Sequence, residues 1–372
     1  MNILLIRPVL EPGGVVRSLL QLAQGLSQAG HHVTIATQSW QWFGVANPAE
    51  FDVAHVSLYP STAQTLFRAI PALLSIVRRR QIQIIHSHHR FSSVVGQCVS
   101  MLWGTPVVST VHEFKHNRLW LTKFGLQQQV ITYSHALKNH LMTHYHLSPD
   151  RIQVQRMGVI PAVSLVLSPE IDNHSNQTKP VMSCIARLVE EKGLEILIHA
   201  LGRVRSQWGD SFCCRIIGDG PVRPKLESLA HHLGLDRQIT FTGWQDNIFS
   251  YMAESRFLVL PSFSEGLGLV ILEGWLLARP TIGSNVGGIS ELIKDHYNGL
   301  LTPPGNPEAL AQSIIYLLER PQLVKQLGQA GQKEVLQNHR LDMMIAQTEQ
   351  LYKTVLASKR NGIFDGIHSR YQ

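Results

Sequence analysis

Apolar runs of strand length alternate with longer runs of helical period from Asn2 to Ala357, and the alternation breaks once, between Val159 and Pro180. The first cycle sets the pattern. Asn2 to Arg7 is an apolar strand, Glu11-Pro12-Gly13-Gly14 a turn that suits glycine, and Val16, Leu19, Leu20, Leu22, Ala23 and Leu26 recur at helical spacing. Gly30 stops that helix and His32 to Thr37 is the next strand. A strand, a helix and a second strand in this order require a parallel sheet with a right-handed crossover.

The cycle repeats through strands at Phe51 to Leu58, Ile82 to His86, Pro106 to Val111, Gln129 to Tyr133 and Ile152 to Gln155. Helices lie between: Ala63 to Arg80 with an interruption at Pro71, Phe91 to Trp103, and one that Ser134 caps. A loop with two tryptophans occupies Trp40 to Ala49, and Lys115 to Phe124 mixes basic and aromatic residues. Pro161, Pro169, Pro180 and the polar run Asp172 to Thr178 read as linker. Strand and helix resume at Val181 and continue to a last helix over Leu341 to Ala357. The predicted class is α/β, with two Rossmann-like doubly wound parallel-sheet domains over 1–165 and 166–340, and a helix and tail over 341–372.

A chain of 372 residues can bury a core in each of two domains. No apolar segment approaches the roughly 18 residues that span a bilayer, and the N-terminus has no basic leader. Cys98, Cys184, Cys213 and Cys214 lack metal or disulfide spacing, which fits a reducing cytoplasm. The double glycine is not a G-x-G-x-x-G fingerprint and no acid ends the second strand, which disfavours a nicotinamide enzyme. Residues 1–168 carry 13 Lys/Arg against 5 Asp/Glu, the remainder 20 against 21. A basic first half meets either an anionic partner or only solvent; nothing points to nucleic acid.

Chemistry concentrates at Ser264-Glu265-Gly266-Leu267-Gly268-Leu269-Val270-Ile271-Leu272-Glu273. The stretch reads as strand end, glycine turn and helix start. Its amides and helix dipole suit an anion, and its two carboxylates suit hydroxyl donors. Arg187 and Lys192 follow another strand and can bind a diphosphate, or simply pair with Glu190 and Glu191. Glu273 can accept a ribose hydroxyl pair or serve only as a helix-start carboxylate; Glu265 can be a base or a sugar ligand. In open parallel sheets such loops gather beyond the carboxyl ends of strands, and pockets favour the cleft between two domains.

The stretch from Glu265 to Glu273 resembles the E-x7-E motif of group 1 (family 4) retaining glycosyltransferases. Gly13-Gly14, Gly30-His31, Ile185-Ala186-Arg187 with Lys192-Gly193, Gly218-Asp219-Gly220-Pro221, Val286-Gly287-Gly288 and Asn298-Gly299 follow in the family's order. The resemblance implies the GT-B fold, its two domains facing a central cleft and its last helix crossing back to the N-terminal domain. It implies that Arg187 and Lys192 bind the donor diphosphate and Glu273 the ribose. Glu265 and the amides of Gly266, Leu267, Gly268 and Leu269 would hold the donor sugar and phosphates, Gly14 would back the phosphate from the other domain, Gly220 and Gly243 would also contact the donor, and His112 would lie near the sugar. Gly274-Trp275 and Ser290 depart from the common pattern without removing a ligand.

The function so implied is retaining, metal-independent transfer of a hexose or N-acetylhexosamine from a nucleoside-diphosphate sugar, UDP-sugar favoured over GDP-mannose. The acceptor is a hydroxyl of a glycan or lipid-linked glycan, in cell-surface polysaccharide or lipopolysaccharide synthesis. Alternatives are a GT-B sugar-nucleotide epimerase and a non-catalytic nucleotide-sugar-binding protein. No cofactor is expected beyond the donor. His86-Ser87-His88-His89 suggests acceptor contact through His88 and His89 more than a metal site. Arg78-Arg79-Arg80 and Lys115 to Phe124 offer a peripheral contact with the anionic inner face of the membrane, or merely a solvated rim.

Overall fold

The computed structural model describes residues 1–11, 13–40, 51–117, 119–160 and 179–360. Most of the two-tryptophan loop, the linker residues Pro161 to Thr178 with the 165/166 boundary, Pro12, Arg118 and the tail beyond Arg360 lie outside them. The described residues fall into two compact units, Met1–Gly158 with the C-terminal helix, and Val159–Arg340.

In the first unit the strands are β1 (Asn2–Ile6), β2 (Val9–Leu10), β3 (His32–Thr37), β4 (Ser39–Trp40), β5 (Asp52–His55), β6 (Ile84–Ser87), β7 (Val107–Thr110), β8 (Gln129–Thr132) and β9 (Ile152–Val154). Seven form one sheet in the order β5-β3-β1-β6-β7-β8-β9, while β2 and β4 pair separately. Every adjacent pair in the seven-stranded sheet is parallel. The order reverses direction at β1 and β6, where a doubly wound sheet leaves its crevice. The helices are α1 (Gly14–Gln28), α2 (Ala63–Arg79), α3 (Arg90–Trp103), α4 (Leu119–Gly125) and α5 (His135–Tyr145). The predicted apolar stripe of α1 is buried, and Ser134 Oγ caps α5 by accepting from Leu137 N.

Two expectations change here. Pro71 does not interrupt α2, which runs through it. The proline lies on the exposed face while Ala69, Leu73 and Val77 are buried, so packing of the apolar stripe outweighs one lost hydrogen bond. The basic–aromatic stretch holds a helix, α4, that its short, mixed sequence did not announce.

The second unit contains β10 (Val181–Ile185), β11 (Cys213–Ile217), β12 (Ile239–Gly243), β13 (Phe257–Leu260), β14 (Thr281–Ser284) and β15 (Gly299–Thr302), in the order β12-β11-β10-β13-β14-β15. All neighbours are parallel, and the switch point lies between β10 and β13. Helices α6 (Leu194–Trp208), α7 (Arg223–His232), α8 (Ile248–Glu254), α9 (Leu269–Leu276), α10 (Ile289–Leu292), α11 (Pro307–Leu318) and α12 (Pro321–Asn338) complete it. Near-continuous apolar strands are what a sheet covered on both faces demands, and Met182, Cys184, Phe212, Cys214, Ile216, Phe257 and Val259 fill the core.

The last helix, α13 (Leu341–Arg360), belongs to the first unit. It approaches α1 at Gly25, where a Cβ would stand 2.6 Å from Ile345. Tyr352, fully buried, brings its hydroxyl to 2.6 Å from His86 Nδ1. No described helix is long and apolar enough to cross a membrane.

Candidate active site

Lys192 and Glu265 meet at the switch point of the second sheet. Lys192 follows β10 and Glu265 follows β13, the two strands on either side of the reversal. Their side chains form an ion pair, Nζ to Oε2 at 2.5 Å, with 17% and 18% of each side chain exposed. The chain between β10 and α6 tightens into a short 3₁₀ turn, Glu190–Lys192, that Gly193 closes at φ 63°. A Cβ on Gly193 would lie 2.1 Å from the carbonyl oxygen of Pro261, and Phe263 N donates to Glu191 O at 2.9 Å. The two loops are thus strapped together through backbone, and the ion pair is a consequence.

The Glu265 loop is backed from its other side. Gly288 N donates to Glu265 O at 3.0 Å, and a Cβ on Gly288 would fall 2.4 Å from both Gly266 O and Leu267 Cα. Gly287-Gly288 is therefore a close approach rather than a mere turn. Gly268, at φ 93°, is the N-cap of α9 and gives no side-chain cap; Ile271 N donates to Gly268 O at 2.9 Å, which leaves the amides of Leu269 and Val270 for a ligand or water. Arg187 is exposed at the end of the same crevice strand. Beside it, Gly218 and Gly220 press against Ala186 O and Leu188 O, where a Cβ would stand at 2.0 and 2.3 Å. Gly243, at φ 71°, accepts from Gly218 N at 2.8 Å. The structure thus gathers Arg187, Lys192, Gly220, Gly243, Glu265, Gly266, Leu267, Gly268 and Leu269 on the carboxyl edge of one sheet. Glu273 is the fifth residue of α9 and only 3% exposed, deeper than a first-turn carboxylate.

The remaining expected residues belong to the first unit. Gly14 opens α1, whose N-cap Gly13 also offers no side chain. The histidines separate into distinct environments. His86 is fully buried and bridges Tyr352 and Thr110 Oγ1, the latter at 2.7 Å, so it is structural. His89 caps α3, its Nδ1 accepting from Phe91 N at 3.2 Å. His88 stacks on His112 with ring centroids 5.5 Å apart and brings Nδ1 to 3.3 Å from His112 Nε2. Burial lowers the pKa of His86 to about 3, helped by His112, and that of His112 to about 3, helped by Arg7 and opposed by Glu113. Burial also takes His88 well below its ordinary value, and His89 to about 4 with the charges of Arg7 and Arg90 adding. All four are neutral rings at neutral pH.

His88, His89 and His112 line a cavity of about 220 Å³ at the switch point of the first sheet. Arg7, Arg90 and Lys115 line it too; Arg7 and Arg90 were not singled out as site residues from sequence, and Lys115 only as the start of the basic–aromatic stretch. One signal was available: Arg7 directly follows β1, the strand at the reversal. Among the described residues no group of three or more His, Cys, Asp or Glu has metal-binding geometry.

Two family models match the chain: "Glycosyltransferase Family 4" over residues 12–162 and "Glycosyl transferases group 1" over residues 170–334. The N-acetyl-alpha-D-glucosaminyl L-malate synthase of Bacillus anthracis is 24% identical over 78% of this chain and 79% of its own. The lipopolysaccharide core biosynthesis glycosyltransferase LpsD of Rhizobium meliloti is 34% identical over 40% of this chain and 41% of its own. Anabaena HepE, crystallised with UDP and glucose, superposes with a TM-score of 0.81 at 21% identity, covering 95% of this chain and all (100%) of its own. These likenesses establish the fold as GT-B.

Proposed function

The chain belongs to the group 1 glycosyltransferases, and from that premise we propose that it is a retaining transferase of a hexose or N-acetylhexosamine from a nucleoside-diphosphate sugar, UDP-sugar before GDP-mannose. The observation that carries this is the Lys192–Glu265 pair beside the uncapped start of α9. A cation held rigidly next to open amides suits a leaving diphosphate, because donors fixed in advance stabilise developing charge without reorganising.

In this proposal the bond from the sugar's anomeric carbon to the β-phosphate oxygen breaks, and positive charge grows on the ring. Arg187, Lys192 and the α9 amides receive the departing phosphate. The acceptor hydroxyl attacks from the same face and its proton passes to that phosphate. Glu265 fixes Lys192 and orients the sugar, Glu273 takes the ribose, and Gly14 and the neutral His112 serve from the first unit. Arg187 and Lys192 supply the charge that a metal would otherwise bring, and no resident cofactor is invoked. The first unit takes the acceptor, a glycan or lipid-linked glycan of cell-surface polysaccharide or lipopolysaccharide. LpsD supports that setting, and the UDP and glucose of HepE support the donor. Exposed Leu119 and Trp120 beside Lys123 support contact with an anionic membrane, and the buried thiols Cys184 and Cys214 support a cytoplasmic site.

A donor screen tests the assignment. A UDP-sugar at a hundredfold its dissociation constant adds about 2.7 kcal/mol to the fold, on the order of 5–10 °C for a unit of this size. GDP- and ADP-sugars should give less, and sugar should appear in product only when an acceptor is present. Absence of stabilisation by every nucleotide sugar refutes the proposal, and product without acceptor replaces transfer with epimerisation.

A further inference from the structure

Three cationic side chains, Arg7, Arg90 and Lys115, line the cavity of the first unit against one carboxylate, Glu113. Glu113 is itself held at 2.7 Å by Lys115. Arg7 Nη1 donates to His88 O at 2.9 Å, which fixes its guanidinium at the cavity wall. Arg90 gives Nη1 to Asn117 Oδ1 at 2.6 Å and to Asn117 O at 3.1 Å; an arginine has five donors, so a planar partner can still be bound. His88 is 2% exposed, and its Nε2 is buried with no hydrogen-bond partner among the described residues. A buried polar nitrogen left so is unfavourable, and a ligand atom that reaches it relieves the cost. The cations also depress the histidines: Arg7 acts on His88, His89 and His112, and Arg90 and Lys115 on His89. The cavity is thus positive yet lined with uncharged imidazoles. At about 220 Å³ it lies below the range of about 300–1,000 Å³ usual for ligand pockets, so it suits a compact group.

We propose that this cavity selects an acceptor bearing an oxyanion, phosphate or carboxylate, bound by Arg90 in the field of Arg7 and Lys115 and hydrogen-bonded by His88 Nε2. The proposal rests on the transferase reading for the word acceptor; the anion site itself does not. An oxyanion on His88 Nε2 requires the proton there. His88 Nδ1 then accepts from His112 Nε2–H across their 3.3 Å contact, which leaves His112 Nδ1 as an acceptor. One anion so sets the tautomer of both rings.

Calorimetric titration of the full chain with inorganic phosphate, with L-malate and with erythritol tests this. The Lys192→Ala background weakens phosphate binding at the second unit, where Arg187 and the α9 amides remain, so a signal is assigned to the cavity by its loss in the first-unit variants. Phosphate or malate should bind one to one, at least tenfold more tightly than erythritol. Arg90→Gln should weaken the anion by about tenfold to a hundredfold, the worth of a charge-assisted hydrogen bond. Lys115→Gln, a change at an exposed side chain that leaves the fold alone, should weaken it less but measurably. The proposal is overturned by no anion binding, by binding indifferent to both substitutions, or by erythritol binding as well as the anions. Co-sedimentation with phosphatidylglycerol vesicles then fixes the source. Loss in Arg90→Gln assigns the anion to a lipid headgroup, and indifference assigns it to a soluble acceptor. Because these titrations use no donor, failure of the transferase reading would appear separately, as absence of nucleotide-sugar turnover.

Discussion

Replacing Lys192 with Ala separates the chemistry of the second unit from its stability. The ammonium contacts Glu265 at 2.5 Å with both side chains less than a fifth exposed, so its removal leaves a partly buried carboxylate short of one charged partner. Such a loss is worth about 1–3 kcal/mol, or roughly 3–10 °C in the melting temperature of a unit this size. The backbone straps, Phe263 N to Glu191 O and Gly193 against Pro261, do not involve the side chain and should hold the loops in place. The catalytic effect is larger. Loss of one preorganised group that receives developing negative charge costs about 10² to 10³ in kcat, or 2.7–4 kcal/mol. Steady-state kinetics with a UDP-sugar, beside thermal melts, should show that drop with the protein folded at the assay temperature. Glu265→Gln keeps an acceptor for Lys192 but not its charge, so it should fall between, and the double variant should be far from additive because the two act as a unit. The reasoning is refuted if Lys192→Ala keeps more than a tenth of wild-type kcat. It is equally refuted if activity returns on cooling the assay by the measured loss in melting temperature.

Two further outcomes follow from packing and burial. Gly288→Ala puts a methyl 2.4 Å from backbone atoms of Gly266 and Leu267 at an ordinary helical φ. About 1–3 kcal/mol of stability should be lost as the Glu265 loop is pushed aside, and kcat should fall while circular dichroism stays native; unchanged turnover would show that the close approach is not needed. His86, fully buried with a folded pKa of about 3 against an ordinary 6.5, makes the first unit acid-sensitive. Between those values the unfolded chain binds a proton that the folded one refuses, so stability is full above pH 6.5 and falls as the pH drops toward 3. His86 alone accounts for about 2 kcal/mol between pH 7.5 and 5. Urea unfolding at the two pH values should show the loss, and His86→Gln should flatten it by that amount; an unaltered slope would contradict the assignment.

Much of this was legible because it is periodic or local. Alternating strand and helix lengths predict two parallel sheets, and the residues just past strand ends are those that the fold gathers at the carboxyl edge of the second sheet. Other features depend on partners far along the chain. The exposed face that tolerates Pro71 is set by what α2 packs on. Nothing near Gly274-Trp275 in the sequence shows how the fold accommodates that departure from the common family pattern. The indole is fully buried and donates to Asn298 O at 3.1 Å, while Gly331 makes room for it and Gly274 rests on Leu258. The histidines are the sharpest case. Four residues of sequence hold a structural ring (His86), a ring with a buried open nitrogen (His88) and a helix cap (His89), and only Tyr352 and His112 tell the first two apart.

The basic excess of residues 1–168 illustrates the same limit and then narrows it. As a count it fits a broad anionic surface as readily as a small ligand. In the fold, Arg80 pairs with Asp52 and donates to Thr34, Arg78 lies 4.6 Å over the Trp103 ring, and Arg151 donates to Gln127 O. Arg80 thus ties the end of α2 to the sheet and Arg78 ties it to α3, so only part of the Arg78-Arg79-Arg80 run remains for a membrane. Arg7, Arg90 and Lys115 instead converge on one half-open cavity, with Lys115 at its exposed edge. Charges spread over a surface are screened beyond about 8 Å at physiological salt, whereas partly buried ones are screened much less. The histidines beside them are held neutral chiefly by burial, with the cations adding to it. The first unit's positive charge therefore acts most strongly on something small enough to enter the cavity, and a membrane that carries the acceptor would be felt there through its headgroup rather than across the face of the unit.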